Sequence, residues 1–113
     1  MRAQQQGCTA TLPKVRTKPR PARLWHVVLL DDDDHTYDYV IEMLGKLFRI
    51  DPQRAYQMAC EVDGSGRVVV DTTVLERAEL KRDQICGYGP DWRLDYSRGS
   101  MQAVLEPAEP EEA

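Results

Sequence analysis

Apolar and polar positions fall into distinct rhythms along residues 24–105, and each rhythm predicts an element. Leu24 to Leu30 is apolar throughout except for His26, the pattern of a strand covered on both faces or nearly so. Four carboxylates follow at once: Asp31, Asp32, Asp33 and Asp34. Tyr37, Val40, Ile41, Leu44, Leu47 and Phe48 then recur at helical spacing. Thr36 stands where it can cap that helix, and Asp38 suits the positive end of its dipole. Asp51-Pro52 is a start signal for a second helix. Ala55, Met58, Ala59 and Val62 form its apolar face, and the stretch from Asp63 to Gly66 ends it.

The valine-rich stretch Arg67 to Thr72 reads as a short strand. Thr73 and Glu76 have the spacing of a capping box, so a third helix is expected to open there. Leu75, Ala78, Leu80 and Ile85 would face inward, and Gly87 would end it. Residues 87–99 form a loop punctuated by Gly and Pro that carries Trp92 and Tyr96, and Met101 to Leu105 make a last short strand. The order βααβαβ predicts an α+β fold: a small two-layer sandwich of three helices on a three-stranded antiparallel sheet.

Composition changes the picture at the ends. Arg2, Lys14, Arg16, Lys18, Arg20 and Arg23 stand in a segment without a single acid, so residues 1–22 are expected to be a basic, disordered extension. All 19 Asp and Glu lie beyond it. Residues 23–106 are expected to be the folded domain and 107–113 a disordered acidic tail. An acidic body disfavours nucleic-acid phosphates, so no nucleic-acid partner is expected. No apolar run is long enough to span a membrane, and the first residues lack the apolar stretch of a signal peptide. Cys8, Cys60 and Cys86 are odd in number and widely spaced, which fits a reducing cytoplasm. Nothing in the pattern demands more than a monomer, and no cofactor or structural zinc site is expected.

The acidic run leaves four readings open. It could be a solvated helix-entry loop whose carboxylates cap backbone N–H groups. It could hold a divalent cation, although the spacing lacks the usual calcium-loop pattern. It could serve carboxylate catalysis, although no nucleophile or phosphate loop accompanies it. Or it could face an organic cation such as an α-ammonium group, beside an apolar wall that holds the attached side chain. His26, inside the first strand, reads as a packed residue. His35 reads equally as a structural partner of the carboxylates and as a functional group.

Residues 31–40, Asp-Asp-Asp-Asp-His-Thr-Tyr-Asp-Tyr-Val, align without gaps to a turn written Asn-Asp-Asp-x-Thr-Pro-Met-Glu-Phe-Val. That turn belongs to the ClpS family, adaptors of the ATP-dependent Clp protease. The resemblance continues through Lys46-Leu47-Phe48, Arg54-Ala55, Gly66-Arg67 and Ala78-Glu79-Leu80-Lys81, covering residues 24–106. A second register would pair Asp33-Asp34-His35-Thr36 with the family's Asp-Asp-x-Thr at the expense of one deletion.

The resemblance implies a non-enzymatic adaptor. It would bind proteins that begin with Leu, Phe, Tyr or Trp and hand them to a ClpA- or ClpC-type unfoldase for degradation by ClpP. It puts the contacts to the substrate's α-amino group on Asp31, Asp32 and Asp63, with Asp33 and His35 beside them. It puts the side-chain pocket on Tyr37, Val40, Ala59, Val62 and Met101, and the unfoldase-facing surface on Glu76 and Lys81. Residues 1–22 correspond to the family's delivery extension. The chain departs from the pattern where Asp31 replaces Asn, Asp63 replaces His, His35 replaces Thr, Thr36 replaces Pro and Tyr37 replaces Met. Two of these changes add negative charge to the amine-facing group.

Overall fold

The computed structural model describes residues 23–109; the expectations for the basic extension, and for the end of the acidic tail, lie outside the described residues. Six elements follow one another: β1 (Leu24–Leu30), α1 (Tyr37–Phe48), α2 (Pro52–Ser65), β2 (Arg67–Val74), α3 (Leu75–Cys86) and β3 (Ala103–Pro107). The sheet order is β2-β1-β3, antiparallel at both pairings, with the most apolar strand in the centre. This is the expected α+β sandwich in the expected order.

The central strand is central because it can be. Val27, Val28 and Leu29 are fully buried, and β1 has no open edge. Pairing with β2 shifts register between Val27 and Val28, where Val70 is skipped. Such a bulge sharpens the strand's twist. Val27 and Leu29 pack with Tyr39, Val40, Met43 and Leu44 of α1, Ala55, Met58, Ala59 and Val62 of α2, and Ala78 and Ile85 of α3.

The caps explain the helix starts. Thr36 Oγ accepts from Tyr39 N at 3.1 Å. Asp51 accepts from Gln53 N and Arg54 N, with Pro52 in the first helical position. Gly66, at φ 87°, closes α2 in the left-handed region that suits glycine. One cap differs from expectation. Thr73 lies inside β2 rather than opening α3, the N-cap is Val74, and no side chain caps that helix. The pairing of Trp25 with Thr73 and Leu24 with Val74 extends the strand and takes the threonine's backbone into the ladder. Leu75 and Leu80 are correspondingly exposed instead of facing inward. The last strand starts two residues later than expected and ends two later, and Ala108 N donates to Leu24 O beyond it.

Candidate functional site

Antiparallel pairing of β1 with β2 sets Leu30 opposite Arg67, and this brings the end of β1 to the end of α2. Asp31 N donates to Gly66 O at 3.0 Å, and Leu30 N donates to Gln102 O at 2.9 Å. Three distant segments therefore converge: the acidic turn, the last turn of α2 and the approach to β3. Between them lies a cavity of about 50 Å³. Asp31, Asp32, His35 and Asp63 form its polar side, and Tyr37, Val40, Ala59, Val62 and Met101 its apolar side, with Thr36 at the junction. The side chains that the resemblance grouped thus share one cavity, except Asp33, which is exposed on the turn and does not line it.

The carboxylates of this rim are unequal. Burial pushes the Asp31 carboxyl above its ordinary value, a backbone hydrogen bond from Asp32 opposes this, and the negative charges of Asp63, Asp32 and Asp33 add to the rise. Asp32 is tied down. Its Oδ1 accepts from Asp34 N at 2.9 Å, and its two oxygens lie 2.8 and 2.9 Å from His35 Nδ1. The other ring nitrogen, Nε2, donates to Gly99 O at 2.6 Å. The His35 side chain is only 3 % exposed and its ring sits 4.4 Å from that of Tyr39. His35 is therefore bound on both sides by acceptors, as a partner of the acidic turn.

Asp63 is exposed and accepts from the Tyr37 hydroxyl at 2.6 Å. That bond raises the phenol, with burial and the Asp63 charge adding, to about 12. The Tyr37 ring in turn leans on Tyr56 at 5.9 Å. Val40, Ala59, Val62 and Met101 are buried and also belong to the core, so the pocket wall and the core are one surface.

Two functional-looking side chains escaped the pattern reading. Tyr39 is 2 % exposed, packs edge-on to Tyr88 and donates to Gly89 O at 2.5 Å; with Met43 it joins the buried face of α1, although neither was counted in the apolar spacing of that helix. Asp91 is the buried charge among the described residues. Burial alone would raise it, but donors from Thr36 N, Thr36 Oγ, Arg93 N and the Arg93 guanidinium hold it down at about 2. A Gly-Pro-Asp turn signal was visible, but Thr36 lies 55 residues away.

The two residues assigned to the unfoldase-facing surface sit apart from the pocket on α3. Glu76 is exposed and borders a shallow groove with Val74, Arg77 and Leu80. Lys81 is bound to Asp71 at 2.5 Å and stands 5.0 Å from the centre of the Phe48 ring. Among the described residues, no three His, Cys, Asp or Glu side chains group so as to hold a metal ion, and no helix is long and apolar enough to cross a membrane.

Comparison with known proteins agrees with this architecture. The model of the family described as ATP-dependent Clp protease adaptor protein ClpS matches residues 20–89. The ClpS adaptor of Vibrio cholerae is 38% identical over 77 residues, covering 68% of this chain and 73% of its own. That of Deinococcus radiodurans is 36% identical over 83 residues, covering 74% and 72%. Agrobacterium tumefaciens ClpS2, solved bound to L-phenylalaninamide, shares the fold at a TM-score of 0.66 and 22% identity, covering 77% of this chain and 99% of that one. The fold and the matched segment define a Clp protease adaptor. The chain belongs to the ClpS family.

Proposed function

We propose that this adaptor binds the first residue of its substrates, holding the free α-ammonium group with Asp31, Asp32 and Asp63 and the side chain in the pocket of Tyr37, Val40, Ala59, Val62 and Met101. The observation that carries the reading is the junction itself. Three carboxylates border a hole whose other wall is apolar, with Val40, Ala59, Val62 and Met101 buried and Tyr37 at its open side. An ammonium group on an apolar side chain is the chemistry that satisfies both halves at once. The mutual repulsion that helps raise Asp31 is relieved when a cation enters. The ligand of the Agrobacterium relative, L-phenylalaninamide, combines the same two features.

In this reading the chain performs no chemistry of its own. It presents large apolar first residues (Leu, Phe, Tyr or Trp) to a ClpA- or ClpC-type unfoldase coupled to ClpP, as a cytoplasmic monomer. Glu76 and Lys81 face the unfoldase, residues 1–22 assist delivery, and residues 23–106 form the adaptor domain. The test is a fluorescent peptide panel that varies only the first residue, each peptide with and without N-acetylation. Free Leu, Phe, Tyr or Trp peptides bind, and acetylation abolishes binding by removing the charge that the carboxylates face. Equal binding of free and acetylated peptides would sink the reading. Unfoldase binding with no first-residue preference would instead favour a docking protein.

A further inference from the structure

The loop between α3 and β3 runs from residue 87 to 102, and the family match ends within it, at residue 89. It is internally bonded: Gly89 N donates to Ser100 Oγ, Asp91 N to Ser97 Oγ, Leu94 N to Asp91 O and Ser97 N to Leu94 O. It is also fastened to α1, through Arg93 to Glu42 at 2.6 Å and Tyr39 to Gly89 O. Within it, the Asp91 side chain is fully buried and receives four donors, two of them from Thr36 at 2.8 Å each.

A buried carboxylate is tolerated only when saturated with donors, and an apolar residue would fill the space more simply. Capping of α1 does not require it, because Thr36 Oγ already serves Tyr39 N. What Asp91 adds is a fixed position for the backbone that leaves the acidic turn. A second anchor comes from the same loop. Gly99 O takes one His35 nitrogen, and the other nitrogen lies against both Asp32 oxygens. Both anchors come from the loop between α3 and β3 and act on residues 32–36.

Building on the amine-binding reading, we infer that Asp91 is a positioning residue for that site: through Thr36, and together with the Gly99–His35 link, it sets the Asp32 carboxylate on the pocket rim. The ligand class is a primary α-ammonium, and Asp91 itself never touches it.

The experiment is a double-mutant cycle on the full chain, read by the affinity of a Phe-initiated peptide with a free N-terminus. Asp91→Asn weakens binding about 10-fold in the wild-type background, and by less than about 2-fold once Asp32→Ala is present, because the positioned group is gone. A merely structural Asp91 lowers affinity by the same factor in both backgrounds, and that result, or no loss in either, overturns the inference. Should Asp91→Asn fail to fold, Thr36→Val removes the hydroxyl donor to Asp91 together with the cap on Tyr39 N; the same non-additivity with Asp32→Ala is required of it, and an equal loss in both backgrounds, the mark of the lost cap alone, overturns the inference. Failure of the wild type to bind any free-amine peptide would overturn the amine-binding reading and this inference together. Binding by the wild type with an additive cycle would overturn only this one.

Discussion

The Tyr37 hydroxyl donates a 2.6 Å hydrogen bond to Asp63, joining the first turn of α1 to the last turn of α2 across the pocket they both line. One of the carboxylates proposed to hold the ammonium group thus already accepts from a phenol. A ligand must share Asp63 or displace Tyr37. Tyr37→Phe keeps the ring and removes the competitor. It is expected to tighten binding of free-amine peptides by about 2–5-fold, the modest size typical of an exposed interaction with a charge. Titration calorimetry of wild type and variant decides it, and weaker binding by Tyr37→Phe would mean that the hydroxyl supports the bound state.

The raised Asp31 carboxyl ties function to pH and to stability. Its ordinary value is 3.8, and the folded chain lifts it, first by burial and then by its acidic neighbours. Amine binding needs the charged form. Affinity therefore begins to fall at a pH above that of an ordinary aspartate as the solution is acidified. Asp31→Asn removes this early fall and lowers affinity at neutral pH. The linkage to folding has the opposite sign. A carboxyl raised by folding favours the fold below its unfolded value, and that contribution is lost as pH rises through the folded value. At pH 7 the charge works against the fold, so Asp31→Asn is expected to melt higher than wild type while binding less well. Parallel melting and binding curves from pH 4 to 8 check both halves.

The wall of the pocket sets its size. Ala59 is 1 % exposed and borders the cavity of about 50 Å³. Ala59→Met sends a flexible side chain into that space, so peptides beginning with Trp are expected to lose affinity by about 10-fold or more before those beginning with Leu. A smaller loss for Trp than for Leu would place Ala59 outside the side-chain pocket. The melting temperature separates this from general overpacking, which would cost about 1–3 kcal/mol.

Much of this architecture was legible because short-range physics determines it. The continuous apolar run from Val27 to Leu29 made β1 central, and Asp51-Pro52 and Gly66 bracketed α2 with caps that depend on neighbours alone. Thr73 misled because a capping-box spacing and a strand end can occupy the same residues, and pairing to Trp25 prevailed. Tyr39 was missed for a related reason, while Tyr37 lines the cavity as expected. Both are aromatic, they point to different sides of α1, and only the contact with Tyr88 and Gly89 selects Tyr39 for the interior. Asp91 was illegible because its role is set by Thr36, far away in sequence, and no local period encodes that meeting. The acidic turn was legible as a feature, but its division of labour was not. Asp63 is latched by Tyr37 from another helix, the histidine beside Asp32 is held by Gly99 O, and Asp31 is raised by burial and by charges that include Asp63, all meetings made by the fold.

The depressed Asp91 gives the protein a specific acid limb. Its carboxyl is held at about 2, against 3.8 ordinarily. Between those values the unfolded chain binds more protons than the folded one, so stability rises with pH across that window and is lost as pH falls through it. Above about pH 5 the contribution is fully present. Asp91→Asn is expected to lower the melting temperature at pH 7, because an amide cannot accept from Thr36 and Arg93 together without opposing one of them with its own N–H groups. It is also expected to flatten the loss of stability between pH 4 and 2, since the group that titrates there is gone. Denaturant midpoints measured across that range for both proteins give the answer. Parallel acid limbs, offset by a constant amount, would mean that Asp91 is not the carboxyl whose protonation loosens the loop from α1.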